Sequence, residues 1–189
     1  MPTPNTLRLT RDQTQLVVVD MQEKMLPHIT QQADVRRECV RMIRAAVEMD
    51  LPITISEQYV RGLGPTNPDV LEAASQATNV ETIEKMTFSL CRHDALRDRI
   101  QSLGRPQVLL VGVETHVCVA QTALDLLDMS LQPIILADAV GSRRPTDRDT
   151  ALARLRSASA IITTVEAAIF ELLEIAGTDV FKRILPLVR

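Results

Sequence analysis

Val108-Leu-Leu-Val-Gly-Val-Glu-Thr-His-Val-Cys-Val-Ala120 is the stretch whose reading decides the fold. Its apolar first half predicts a buried strand that breaks at Gly112, and its second half predicts a helix restarting near Thr115. Cys118 then falls in a helix's first turn, beside unpaired backbone N–H groups and the positive end of the helix dipole, both of which favour a thiolate. The same N–H groups are placed to hold a carbonyl oxygen as it becomes an oxyanion. Two readings of Cys118 stay open at this point. It is a nucleophile, or it is a small buried hydrophobe, the commoner fate of a free cysteine.

Outward from this stretch the pattern repeats. Gln15-Leu-Val-Val-Val-Asp20 is a continuous β-branched run, the mark of a parallel strand covered on both faces, and it ends on a carboxylate. Ligands of open parallel sheets bind at the carboxyl ends of strands, so Asp20 is a site candidate; a cap on the following turn is the other reading. A helical stripe over Ile29 to Asp50 follows, with Cys39 on its packing side, and Leu51-Pro52 ends it. Pro52 to Ser56 reads as a second strand, leading into the long loop Glu57 to Pro68, where a substrate lip is expected. Asn79 to Lys85 is a third strand ending on a lysine, whose ordinary reading is a solvated surface cation. Asp94 to Leu103 is a helix closed by Gly104. The helix after the central strand carries Leu124, Leu127 and Leu131 at helical spacing. Gln132 to Asp138 and Ser159 to Thr163 are the fifth and sixth strands, separated by a helix over Asp147 to Ser157, and short helices over Val165 to Ile175 and Thr178 to Leu187 close the chain. Six strands alternating with helices predict an α/β fold: a three-layer αβα arrangement around a doubly wound, mostly parallel, Rossmann-like sheet, in one domain spanning 1–189.

Composition narrows the partners. With 24 acidic residues against 21 basic ones the net charge is −3, no excess with which to hold a polyanion. Aromatic residues are 2% of the chain, too few to stack bases, so nucleic acid is not expected. Three scattered cysteines form neither a disulfide framework nor a CxxC metal pattern, which implies a reducing compartment. No apolar stretch has membrane-spanning length, and the N-terminus lacks a secretory layout. Arg8, Arg11 and four Thr in the first fourteen residues faintly resemble a targeting stretch, but the first strand follows too soon; the expected location is cytoplasmic.

Three pieces together, Val-Val-Val-Asp20-Met-Gln, Glu-Lys85-Met-Thr-Phe-Ser and Gly112-Val-Glu-Thr-His-Val-Cys118-Val, resemble the isochorismatase-like cysteine hydrolases, the superfamily that includes nicotinamidases and N-carbamoylsarcosine amidohydrolases. The resemblance runs from Val17 to about Val165, and Ser56 to Thr66 is similar to its isochorismatase-domain-containing branch. It implies a catalytic triad of Asp20, Lys85 and Cys118. It also implies a cis peptide at Val113-Glu114 that turns backbone amides toward an oxyanion hole, with the amides of Glu114 and Cys118 as candidates. In the implied chemistry Lys85 lowers the thiol's pKa, Asp20 takes and returns the thiol proton, and a thioester forms on Cys118 and is hydrolysed. Glu57, Gln58, Tyr59 and Arg61 are the candidate substrate contacts, with Tyr59 and Arg61 hinting at a planar or anionic group. Zinc-holding relatives use an Asp-x-His piece where this chain has Glu57-Gln-Tyr59, so neither metal nor other cofactor is expected. His116 lies two residues from Cys118, a spacing at which helical side chains do not face each other, so a Cys-His pair is disfavoured. The expectation is a metal-independent hydrolase of a small amide-like or ester-like carbonyl compound, forming a homo-oligomer, with no nucleic-acid or membrane partner. Two alternatives stand beside it: ether cleavage of the isochorismatase type by Asp20 acting as acid, and a silent binding or scaffold protein of the same fold.

Overall fold

The computed structural model describes residues 8–188; positions 1–7 and 189, which the single-domain and targeting expectations include, lie outside the described residues. In chain order the elements are β1 (Thr14–Val19), α1 (Gln32–Glu48), β2 (Ile53–Gln58), α2 (Val60–Leu63), α3 (Pro68–Ala74), β3 (Val80–Lys85) and α4 (Asp94–Ser102). Then come β4 (Gln107–Val113), a π-helical turn (Thr115–Val119), α5 (Ala120–Asp128), β5 (Gln132–Gly141), α6 (Pro145–Ser157), β6 (Ile161–Thr163), α7 (Val165–Leu173) and α8 (Asp179–Ile184). The strands form one sheet in the order β3-β2-β1-β4-β5-β6, and every pairing between them is parallel.

The continuous apolar runs follow from this geometry. Side chains alternate across a strand, and each face of this sheet carries a helical layer, so both parities must be apolar. β1 sends Leu16 and Val18 into a core shared with α1, α3, α7 and α8, and Val17 and Val19 into a core shared with α4, α5 and α6. β4 divides in the same way, with Leu109 and Val111 on the first face and Val108 and Leu110 on the second. Each such fully buried aliphatic side chain contributes about 1.5–3 kcal/mol relative to an exposed one. Edge strand β3 is mostly exposed, which is why its sequence alternates with charges instead.

The order of strands positions the site. From β1 the chain winds outward through β2 and β3, then returns to β1's other side with β4. The crevice at the carboxyl ends of β1 and β4 is therefore the topological switch point, where an open α/β sheet receives its ligand. Asp20 and Cys118 both lie just past those two strand ends.

Several local expectations are corrected. β4 does not break at Gly112; it continues to Val113 with a register shift between Leu110 and Gly112 against β5. Gly112 holds φ at +110°, and a Cβ there would meet the Val19 carbonyl oxygen at 2.1 Å, so only glycine fits. A π turn precedes the helix expected near Thr115. β5 runs three residues past Asp138, whose carboxylate caps α7 by accepting the Val165 N–H at 2.9 Å. The loop from Glu57 to Pro68 contains the one-turn α2, and the uncalled α3 follows it, started by Asn67 and Pro68 and packed through Val70 and Ala73.

Candidate active site

Three strand ends deliver three side chains to one point. Asp20 follows β1 with φ at +49°, Lys85 is the last residue of β3, and Cys118 lies in the π turn after β4. Lys85 Nζ donates to Asp20 Oδ2 at 2.8 Å and, over a longer 3.7 Å, to Cys118 Sγ, and the Asp20 carboxylate lies near enough to the thiol to bear on its ionisation. All three are desolvated: Lys85 is 1% exposed, Asp20 3% and Cys118 7%. The ordinary reading of Lys85 as a solvated strand end is therefore excluded.

The ammonium is fully engaged. Besides Asp20 it donates to Gln58 Oε1 at 2.7 Å and to the Thr87 carbonyl at 3.2 Å, so the long contact to Cys118 Sγ competes for three N–H groups with three closer acceptors. Its effect on Cys118 is then chiefly coulombic. That effect loses. Burial and the adjacent Asp20 carboxylate push the Cys118 thiol up to about 12, against the opposing pull of Lys85. The expected thiolate is thus corrected: first-turn amides and a lysine do not outweigh desolvation and a carboxylate in contact. Burial likewise raises Asp20 above the usual carboxylate range, although Lys85 and the Ser56 hydroxyl both pull it down. Burial thus favours the protonated form of both groups, and Lys85 opposes it at both.

The other anticipated residues divide. Val113-Glu114 is a cis peptide, and Val113 is fully buried. The Glu114 side chain points away from the triad's business, since its Oε1 accepts from Arg143 Nε at 2.9 Å and its Oε2 from Arg143 N at 3.1 Å. Gln58 joins the triad through Lys85 and also donates through Nε2 to the Met86 carbonyl at 3.0 Å. Glu57 is held by the Thr66 N–H and hydroxyl, each at 2.7 Å, and so shapes the loop. Tyr59 packs against Gly62 and remains 44% exposed, and Arg61 is exposed on α2. His116 pairs through Nδ1 with Ser142 Oγ at 3.0 Å, away from the thiol.

Sequence reasoning missed Ser56 and Gln22. Ser56 Oγ donates to Asp20 Oδ1 at 2.7 Å; its place at the end of the expected second strand was the available signal, while the register that sets it opposite Val19 is a finding of the structure. Gln22 bridges the backbone N–H and carbonyl of Gln58 at 2.8 and 3.0 Å, a contact that no local pattern announces.

The residues do not fit a zinc ion. At the position of the Asp-x-His piece, Glu57 is committed to Thr66 and Gln58 to Lys85, and among the described residues no group of three His, Cys, Asp or Glu side chains is placed to bind a metal. A cleft of about 710 Å³ lies between α1, α6 and α7, with Asp34, Glu38, Arg148 and Glu166 among its walls, and none of Asp20, Lys85 and Cys118 lines it. Convergent chemistry, rather than volume, marks the site.

The sequence model of the isochorismatase domain matches residues 14–167. Isochorismatase family protein 1B of Dictyostelium discoideum is 37% identical over 175 residues, covering 92% of this chain and 85% of the relative. The structure of the MAR1 ribonuclease from Caenorhabditis elegans superposes with a TM-score of 0.89 at 36% identity, covering 96% of this chain and 92% of that one. The Escherichia coli YcaC gene product, described as an octameric hydrolase of unknown specificity, superposes at 0.88 with 20% identity, covering 98% and 92%, a likeness of fold.

Proposed function

The chain belongs to the isochorismatase family, a family with a hydrolase fold, and from that premise we propose that it is a metal-independent cysteine hydrolase of small amide-like or ester-like carbonyl compounds. The observation that carries this reading is the buried contact of Asp20, Lys85 and Cys118. Cys118 Sγ attacks the carbonyl carbon as its proton passes to Asp20, whose raised basicity suits it to the task. The developing oxyanion is held by backbone amides, with those of Glu114 and Cys118 as candidates. Collapse transfers the proton from Asp20 to the leaving amine or alcohol and leaves a thioester on Cys118. Water, deprotonated by Asp20, then attacks the thioester and frees the acid. Lys85 holds Asp20 in place, and the lip of Glu57, Gln58, Tyr59 and Arg61 contacts substrate. The enzyme is proposed to work as a cytoplasmic homo-oligomer of single isochorismatase-like domains.

A second reading has one observation in its favour. A carboxyl raised by burial keeps its proton longer, so Asp20 is also suited to act as the acid in cleaving an ether, with no covalent intermediate. The ribonuclease name of the C. elegans neighbour is a third possibility, which the small aromatic content and balanced charge of this chain do not favour.

Mass spectrometry separates the first two. All three cysteines are buried, so labelling by iodoacetamide is expected to favour Cys118 through its place beside Asp20 and Lys85; a screen of small amides by ammonia release is expected to yield a substrate that leaves a thioester on Cys118, read by mass. Equal labelling of all three cysteines, or turnover surviving in Cys118→Ala, would sink the covalent mechanism.

A further inference from the structure

Resting on the cysteine-hydrolase reading of the same site, we propose that the substrate presents an uncharged apolar group to a rim formed by Tyr59, Met86 and Phe88, and that these side chains set specificity. The triad's own hydrogen bonds fix the rim. Gln58 Nε2 donates to the Met86 carbonyl at 3.0 Å, Lys85 Nζ to the Thr87 carbonyl at 3.2 Å, and the Tyr59 N–H to the Lys85 carbonyl at 3.0 Å. The two segments carrying these side chains are therefore tied to the reacting centre. Their side chains nevertheless face solvent, Met86 at 66%, Phe88 at 55% and Tyr59 at 44% exposure, in a chain with only one Tyr and three Phe. The Tyr59 ring has a fixed seat: a Cβ on Gly62 would lie 2.3 Å from its Cε1, so the ring packs where only glycine leaves room.

The polar groups around them are already engaged. Glu84 Oε1 accepts the Val60 N–H at 2.7 Å and Glu57 accepts from Thr66, both keeping a negative charge that repels an anion, and Asp20 is answered by Lys85. Arg61 is the exception on this lip, exposed on α2. A charged substrate group would lose hydration here with little in return, whereas an aliphatic or aromatic group would cover apolar surface. The structure thus points away from the anionic substrate that Tyr59 and Arg61 hint at in the sequence.

Alkylation of Cys118 in the intact protein reads this preference without a known substrate. In each reaction the Sγ–C bond forms, the C–I bond breaks, iodide leaves and the thiol proton passes to Asp20. The rates with iodoacetanilide, iodoacetamide and iodoacetate are each divided by the rate with glutathione. Iodoacetanilide is expected to exceed iodoacetamide by about tenfold on this scale, with iodoacetate slowest. The combined variant Tyr59→Ser, Met86→Ser, Phe88→Ser should bring the anilide-to-amide ratio down to about one, and Phe88→Ser alone, folded by circular dichroism, should lower it part of the way. Ile175→Ser, which removes an equally exposed apolar side chain beyond α7, should leave the ratio intact. A ratio near one in the wild type, a ratio that survives the combined variant, or a faster reaction with iodoacetate would overturn the proposal. A combined variant that falls in mass by light scattering and reacts faster with all three reagents alike would also overturn it, since a second copy of the chain would then be what covers the rim. If no reagent selects Cys118 over Cys39 and Cys91, the hydrolase reading falls and takes this one with it. Selective labelling without an apolar preference sinks this one alone.

Discussion

Cys118 sits 3.7 Å from an ammonium that has closer acceptors in Asp20, Gln58 and Thr87, and the proposed mechanism activates it by proton transfer rather than as a standing thiolate. This has a measurable signature. A thiol held at about 12 and alkylated only through its free thiolate would speed up tenfold per pH unit across the alkaline range. With Asp20 as base, the rate should instead rise as Asp20 ionises, at a pH above the ordinary carboxylate value of about 3.9, and then level off through neutrality. In Asp20→Asn the plateau should vanish and turnover should drop about 10²- to 10⁴-fold; a wild-type profile in that variant would reduce Asp20 to a turn residue. Lys85→Met tests the other partner. It leaves a buried carboxylate unanswered, a loss of about 3–5 kcal/mol if Asp20 stays charged. Asp20 escapes by protonating, so its folded pKa climbs further above the unfolded value. A carboxyl raised in this sense adds stability below its unfolded pKa and loses it as pH rises through the folded one. The thermal midpoint of Lys85→Met should therefore fall as pH rises through and beyond the carboxylate range, more steeply than that of the wild type. Equal slopes in thermal melts would mean the pair is not coupled.

Among the elements, the β1–β4 contact is the least tolerant. Gly112 approaches the Val19 carbonyl so closely that its Cβ would overlap the backbone of the neighbouring strand, and its φ of +110° suits no L side chain. Gly112→Ala should cost about 3 kcal/mol or more, equivalent to a fall of about 6 °C or more in Tm, and should reduce turnover because Cys118 follows that strand. A variant with the parent Tm would mean that β1 and β4 yield more easily than their register implies. The central strands were legible because burial on both faces leaves a continuous apolar run, as in Val17 to Val19 and Val108 to Val111. Asp20 and Cys118 stood out because each follows such a run, whereas Lys85 ends the exposed edge strand β3 and was singled out only by the family resemblance. What escaped the sequence depends on pairing across distance. The π turn at Thr115 to Val119 has the same apolar spacing as an α-helix, and Asp138 looks like a strand end until the register with β4 and the cap on α7 are known. The sign of the shift at Cys118 escaped for the same reason: a dipole can be read locally, but desolvation and the carboxylate of Asp20, brought in from a different strand end, cannot.

For the molecule as a whole, the donor set and the charge distribution each carry a prediction. Turnover should survive dialysis against a strong chelator, because Glu57 and Gln58 are committed to Thr66 and Lys85; stoichiometric zinc by elemental analysis, with activity lost on its removal, would show the lip to be misread. The last prediction concerns RNA. Binding of single strands draws on two things, released counterions along a cationic track and bases stacked on aromatic faces. The exposed arginines of α1 look at first like such a track. Three of them are paired, Arg36 with Asp69 at 3.0 Å, Arg41 with Glu38 at 3.0 Å and Arg37 with Asp34, so a phosphate contact at any of these would first have to displace a carboxylate, and the exposed Arg44 is a single cation rather than a track. The net charge of −3 adds no long-range attraction. The aromatic residues at the rim, Tyr59 and Phe88, lie beside a buried ion pair rather than along a basic groove. A fluorescent single-stranded RNA should therefore show no anisotropy change at low salt, where an electrostatic contribution would be largest, and no cleavage on prolonged incubation. Cleavage that disappears in Cys118→Ala would place RNA in the triad itself and displace the small carbonyl compound as substrate. Binding that weakens steeply with salt but leaves the strand uncut would put the error in the pairing of the α1 arginines and leave the chemistry of Cys118 untouched.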